Sequence, residues 1–511
     1  MSTRQVDSKI KLDQLLEGVR YRASIPLDAE VGGLATDSRR VEPGQVFACI
    51  EKGDAGESYI SEALSRGVIA VLVEEGVLVD ATQVVEVEHL NTKLSQLAGN
   101  YFGHPSRHLS VVGVTGTNGK STVCSWIEQL LDLNGQAAGS IGTLGVHACG
   151  KQILKPDGMT TRDAVRAQEV LKFCKDAGAE TVAMEVSSHG MHQHRVEAIC
   201  FAVALFTNFS RDHLDYHQTE LEYWRAKKRL FELPGIRCAV VNIDDAKGVE
   251  LAAELDGSMD LVRFSIAGHE QADMSLSQLR FDQGFHAELK SKWGAGSIYL
   301  PQMTAEFELS NLLAALCAAC FLGVGLEQAL LKLADLQPAS GRLQRVGTRY
   351  LADGPVEVYV DYAHTPDAVG RVLSALKATK ATPPNQLIAI LGCGGDRDRG
   401  KRPLMAKAAL NSADQLIITS DNPRGEDQSQ IERDMLDGVQ DVSRVKCIPD
   451  RKAAIRFALE NASANSCIAV LGKGHESGQI FADRVEPFND IEVIEQLLEE
   501  TPLSEPQGVQ R

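Results

Sequence analysis

No stretch of this chain approaches eighteen uninterrupted apolar residues, which argues against a membrane-spanning helix. Its start, MSTRQVDSKIKLDQLLEG, lacks the apolar core of a secretory signal. Positive charge is also scarce: 52 Lys and Arg stand against 69 Asp and Glu, a formal charge of -17. That balance argues against nucleic acid or an anionic membrane as the main partner. The eleven cysteines are odd in number and scattered, so they read as reduced thiols and not as a disulfide frame. Cys317 and Cys320 match C-x-x-C, but they sit in the alanine-rich run LLAALCAACFLG with no second pair nearby, which points to packing. No internal repeat or low-complexity tract stands out. These absences leave a cytoplasmic globular protein, expected to be monomeric, in which local clusters of Arg and Lys must meet any anionic ligand.

What is present starts with GVTGTNGKST, Gly113 to Thr122. The residues before it, HLSVV, suit a buried strand, and those after it place apolar side chains at Val123, Trp126, Ile127, Leu130 and Leu131, a helical spacing. A glycine loop between a strand and a helix aims backbone N–H groups at an anion; the helix start adds partial positive charge and Lys120 a full one. Ser121 is placed to meet a magnesium ion carried by a nucleotide. The loop departs from the common G-x-x-x-x-G-K-[ST] pattern, which requires glycine where Val114 stands.

A length of 511 residues suits about three domains. Residues 1–108 carry short strands and turns. Residues 109–340 begin at the glycine loop and add the strand candidates ETVAMEVSS, CFAVALFTN and RCAVVNID between helical stretches. Residues 341–499 repeat the habit with VEVYVDYAHTP, QLIAILGCGGD, DQLIITSDNPR and CIAVLGKGHE, and LQPASGRLQ forms a plausible hinge before them. Strands alternating with helices give an α/β fold with parallel sheets covered on both faces. The tail 500–511 is polar and proline-bearing and is expected to be disordered.

Ligands of open α/β sheets bind beyond the carboxyl ends of the strands. Arg397, the segment Asp421, Asn422, Pro423 and Arg424, and the segment from Gly472 to Glu476 would converge there on one small molecule. Arginine pairs with carboxylate and Asp or Glu with ammonium, so an amino acid satisfies the set. In the middle region Glu185 ends a strand and His213 follows in SRDHLDYH, a pair suited to magnesium near phosphates. Lys227, in YWRAKKRLF, would repel that ion as an ammonium unless it were modified or touched only phosphate.

GVTGTNGKST, MEVSSHG, TNFSRDHLDYH, VDYAHTPDA, GCGGDRDRGKRP, DNPR and LGKGHE, in this order, resemble the Mur ligases of peptidoglycan synthesis across about residues 30 to 495. The resemblance implies a small N-terminal α/β domain for the UDP substrate, a central P-loop-type ATPase sheet and a C-terminal Rossmann-like sheet for the amino acid. It implies ATP as co-substrate, Mg2+ as cofactor, and an acyl phosphate formed on a UDP-muramoyl dipeptide before an amine displaces phosphate. Lys227 then matches the family's carbamylated lysine, joining Ser121, Glu185 and His213 around magnesium, although adjoining Lys228 leaves the register open.

By the same resemblance Gly116, Thr117, Asn118, Gly119, Lys120, Ser121, Thr122, Asn311, Arg342, Asp361 and His364 would hold ATP, the last three arriving with closure of the third domain. Ser38, Thr160, Thr161, Ser187, Gln193 and Arg195 would hold the UDP-muramoyl dipeptide. Arg424 favours meso-diaminopimelate over L-lysine, because only the former carries a distal carboxylate; the lysine-adding relative stays open, as does a folylpolyglutamate-synthetase-like ligase. Two departures from the family stand out: no Asp-Gly-His near Lys52 to Asp54, and Arg162 after the Thr pair.

Overall fold

In the computed structural model, residues 9–500 are described apart from 78, 80, 283, 302 and 379–384. The chain builds three main sheets. The first, residues 21–87, has five short strands, with Ala70–Glu74 inside it and helix Leu90–Phe102 packed below. Its core continues into Ala164 and Val165, so the next region's helix Ala164–Asp176 shares the same apolar layer.

The second sheet has eleven strands. Its parallel centre runs Ala138–Gly142, Thr181–Glu185, Ser110–Thr115, Phe201–Phe206, Cys238–Asn242, Asp260–Ser265. Those strands read as near-continuous apolar runs because helices cover both faces. The antiparallel strands Phe285–Ser291 and Gly294–Leu300 extend one edge, where alternating exposure shows one wet face. Helix Lys120–Leu133 buries Val123, Trp126, Ile127, Leu130 and Leu131, the spacing expected from sequence. It packs with the almost wholly buried helix Glu306–Phe321 in one core cluster, where the Cys317 Sγ lies 3.5 Å from the Met274 Sδ. Packing is therefore what this C-x-x-C pair does.

The third sheet has six strands; Gly354–Asp361, Ser466–Leu471, Leu387–Leu391, Gln415–Ile418 and Val445–Cys447 are parallel in that order. Helices Arg451–Asn461 and Asp490–Glu500 cover one face. The last helix reaches Glu500, and the rest of the tail expected to be disordered lies outside the described residues. Between the second and third sheets the LQPASGRLQ segment is anchored to the loop helix: the Trp126 indole N–H donates to the Gln337 carbonyl at 3.0 Å, and Gln337 N–H donates to Gln129 at 2.8 Å. Among the described residues no helix is long and apolar enough to cross a membrane.

Candidate active site

The glycine loop is held from below by the next strand's end. Thr117 N–H donates to the Asn208 carbonyl at 2.8 Å, Asn118 N–H to the Asn208 side chain at 2.9 Å, and the Thr207 hydroxyl to the Asn118 carbonyl at 2.6 Å. Gly116 has φ 144° and Gly119 φ 86°, and a Cβ on Gly116 would lie 1.9 Å from the Thr207 Oγ1. Only glycine suits both the angle and the space.

Two lysines converge on one carbonyl. Lys120 Nζ donates to Gly116 O at 2.9 Å and to Thr117 O at 2.8 Å, while Lys227 Nζ donates to Gly116 O at 2.7 Å. Burial lowers both lysine pKa values, and the Lys120 charge pushes Lys227 further down. Lys227 is 2% exposed and sits 4.4 Å over the Tyr223 ring, one helical turn before it. Lys228 points away and pairs with Glu254. The helix Glu220–Lys228 therefore turns Lys227, and not Lys228, toward the loop.

Glu185, 2% exposed, accepts from the Thr143 N–H and hydroxyl, each at 2.8 Å, and a Cβ on Gly142 would lie 2.0 Å from its Oε1. His213, in the left-handed region at φ 54°, lies against the ring of His189 and 3.3 Å from Asp212. Burial lowers the His213 pKa to about 3, so it is neutral, the form that ligates metal. Among the described residues no three His, Cys, Asp or Glu side chains converge as a metal cage. The Glu185 carboxylate, the neutral His213 imidazole and the Ser121 hydroxyl are nevertheless donor types that a magnesium ion near nucleotide phosphates accepts.

The muramoyl-peptide candidates form a second network. The Thr161 hydroxyl donates to the Glu185 carbonyl at 2.9 Å and accepts from Ser187 N–H at 2.9 Å; Ser187 caps the following helix through Gly190 N–H. Arg195 donates to the Thr161 carbonyl and, at 3.0 Å, to Gln193, whose amide donates to the Tyr216 hydroxyl at 3.0 Å. Thr160 flanks the group. Ser38 stands apart in the first region, its hydroxyl donating to Glu62 at 2.6 Å. Arg162 is 1% exposed, with its Nε 3.0 Å from the Asp157 carboxylate.

A cavity of about 640 Å3 opens beside the loop between the second and third sheets, lined by Asn118, Gly119, Thr122, Asn311, Arg342 and Asp361 among others. Arg342 donates to the Ser121 hydroxyl at 2.9 Å and stacks its guanidinium 4.5 Å from the Tyr362 ring. Asp361 accepts from Leu343 N–H at 2.6 Å and Ala363 N–H at 2.7 Å, and burial raises its pKa. His364 Nδ1 donates to the Tyr362 carbonyl at 2.9 Å, and its Nε2 lies 3.7 Å from Asp212.

Asp212 was not singled out in the sequence, although it adjoins His213. It is 4% exposed and receives His364 and, at 3.7 Å, Lys401, both from the third region. Burial alone would raise its pKa; the facing His364, the adjoining His213 and the Lys401 charge hold it well below the usual range. Arg211 meanwhile faces Asp398 at 4.0 Å, so opposite charges alternate across the junction.

At the carboxyl ends of the third sheet, Asn422 donates to Glu476 at 2.9 Å, and Arg424, at φ 51°, donates to the Gly395 carbonyl at 3.0 Å. Burial and then the neighbouring Arg397 lower the Arg424 pKa, so two guanidiniums share one space. Asp421 is 7% exposed, and Pro423 backs onto Gly395, where a Cβ would meet its carbonyl at 1.9 Å. Gly472 takes φ 110° beside Asp421. Buried Arg402 ties Glu426 and Asp434 under the same loops. Thr143 and Asp212 were the residues missed; Asp212 adjoins the predicted His213, whereas Thr143 follows the strand Ala138–Gly142, outside every motif.

Residues 114–319 match the Mur ligase middle domain, and residues 341–474 match the domain described as Mur ligase, glutamate ligase domain. The UDP-N-acetylmuramoyl-L-alanyl-D-glutamate--2,6-diaminopimelate ligase of Pseudomonas aeruginosa is 42% identical over 477 residues, 92% of this chain and 96% of that protein. A solved structure of a ligase of the same name is 32% identical with a TM-score of 0.66, covering 96% and 99% of the two chains. A Mycobacterium tuberculosis folylpolyglutamate synthase complexed with ADP and AMPPCP is 19% identical with a TM-score of 0.61, covering 75% and 92%; that likeness extends to the fold.

Proposed function

The chain belongs to the Mur ligase family, and on that premise we propose that it adds meso-diaminopimelate to the D-glutamate carboxylate of UDP-N-acetylmuramoyl-L-alanyl-D-glutamate, consuming ATP, in the cytoplasm and as a monomer. The observation that carries this reading is the facing of two strand-end sites: Arg342 beside the third sheet touches Ser121 of the phosphate loop, and Lys401 reaches Asp212. A phosphate-activating centre and an amino-acid pocket are thereby opposed across one cleft.

A carboxylate does not acylate an amine until its oxygen becomes a leaving group. In the proposed reaction a carboxylate oxygen attacks the γ-phosphorus of ATP, ADP departs, and an acyl phosphate remains. The amine then attacks the acyl carbon, loses a proton, and phosphate leaves as the amide forms. Lys120 and the N–H groups of Gly119 to Ser121 at the helix start hold the phosphates in line, so that charge spread over the transferring group meets fixed positive ends. Asn311, Asp361 and Arg342 bound the space for the nucleoside. Thr161, Ser187, Gln193 and Arg195, already joined to one another, present the dipeptide beside Glu185. Magnesium, held by Ser121, Glu185, His213 and Lys227 as a carbamate, would supply charge neutralisation. Closure across the Asp212 junction excludes water from the acyl phosphate.

Arg424 and Arg397 present a double cation to one end of the amino acid, and Asp421 and Glu476 present anions to the other. That polarity favours diaminopimelate over lysine, and the names of the relatives agree with it. A folate substrate gives no role to the Asn422, Arg424 and Glu476 cluster. The test is isotopic: with an 18O-labelled D-glutamate carboxylate, the released phosphate acquires one label. Unlabelled phosphate would refute activation by phosphoryl transfer.

A further inference from the structure

Lys473, in the motif LGKGHE, has no assigned part in the chemistry above, yet it is fully buried at 0% exposure. Its ammonium donates to Gly478 O at 2.8 Å, to Glu476 Oε2 at 2.9 Å and to Asn422 Oδ1 at 3.0 Å. These three bonds satisfy its donors. A second carboxylate, Asp421, stands 3.6 Å away, too far for a hydrogen bond, and its buried Oδ1 has no hydrogen-bond partner. Asn422 Oδ1 also accepts from Ile480 N–H at 3.0 Å, and Arg424 N–H donates to Ile480 O at 3.0 Å. Through Lys473 the DNPR turn and the hairpin of Gly478–Ile480 with Val485–Pro487 become one unit.

We propose that Lys473 is a positioning residue for the amino-acid site, fixing both its geometry and its charge, an inference that rests on the ligase reading. Two carboxylates and one ammonium leave a single net negative charge beside the unpartnered Asp421 oxygen. That remainder matches one ammonium of an incoming amino acid, with Asp421 as its waiting acceptor. Without Lys473 the pocket holds two facing carboxylates, and either a proton or a small cation takes the place meant for substrate. Gly472 completes the arrangement, since a Cβ there would lie 3.3 Å from the Asp421 Oδ2.

The experiment compares full-length wild type, K473M, D421N and K473M/D421N in steady-state phosphate release, with each substrate varied in turn. K473M should raise KM for diaminopimelate at least tenfold, with KM for ATP and for the UDP substrate held within about threefold. The double variant restores a single negative charge, so its diaminopimelate KM should be no worse than that of the poorer single variant. If K473M does not fold, the double variant, which lacks the uncompensated carboxylate, still decides the matter by the same KM split. Losses that fall equally on all three substrates, or single-variant effects that multiply, would overturn the proposal. Wild-type protein with no amine-dependent turnover would sink the ligase reading itself, an outcome separate from either.

Discussion

Arg451 and Asp490 form an ion pair with 0% exposure on both side chains and two hydrogen bonds of 2.7 Å. The pair joins helix Arg451–Asn461 to helix Asp490–Glu500. The same guanidinium donates to Leu471 O at 2.9 Å and Ser420 O at 3.4 Å, the residues just before Gly472 and Asp421. It therefore grips the two strand ends from which the amino-acid pocket springs. D490A leaves a guanidinium in a dry interior without its anion, and should cost about 3–5 kcal/mol. For a unit of this size that corresponds to a fall of roughly 10 °C in its transition. R451M/D490L removes both charges; its cost is chiefly that of the Leu471 carbonyl losing its 2.9 Å donor, about 1–3 kcal/mol. Because multidomain chains commonly depart from two-state unfolding, the fitting assay is amide exchange in the strand Ser466–Leu471, which reads opening of the third sheet. The reasoning fails if D490A costs under about 1 kcal/mol, or if the double variant is the less stable of the two.

Other expectations concern the centre and its surroundings. K227M should lower turnover by about 100-fold or more and abolish a carbamate carbon signal seen with 13C-bicarbonate; full activity, or an unchanged signal, would remove Lys227 from the site. D212N and K401M should show a coupling of about 1–2 kcal/mol in kcat/KM for ATP, whereas independent effects would deny the charge junction a role in closure. Glu128, hydrogen-bonded by Ser140, has its pKa raised by burial from 4.5 to about 7. The folded state thus keeps a proton that the unfolded state releases, and Glu128 subtracts stability progressively as pH rises from 4.5 to 7. E128Q should be more stable than wild type at pH 8, by up to about 3 kcal/mol, with the gap closing near pH 4.5; a gap independent of pH would contradict this.

Much of this architecture could be read from the sequence, because the chemistry sits where apolar runs stop. Residues Ser110–Thr115, Thr181–Glu185, Gln415–Ile418 and Ser466–Leu471 are strand runs whose polar sequels are site residues. Helical spacing likewise located the face of Lys120–Leu133. The choice between Lys227 and Lys228 was not legible. It depends on which face of a short helix meets Tyr223 and which meets Glu254. Pairings across long separations were equally hidden: Thr143 with Glu185, Asp212 with Lys401, and Lys473 with Asn422 are set by how the sheets pack. No periodicity encodes such contacts, and a charged residue such as Lys473 gives no sign in sequence that it will be fully buried.

The most direct test is phosphate release by the purified protein with ATP, magnesium and UDP-N-acetylmuramoyl-L-alanyl-D-glutamate, with meso-diaminopimelate and L-lysine compared and the product weighed. Release with diaminopimelate, and a product heavier by one such residue, is the expected result. Release with lysine alone would contradict the part given to Arg424, and the absence of amine-dependent release would contradict the ligase.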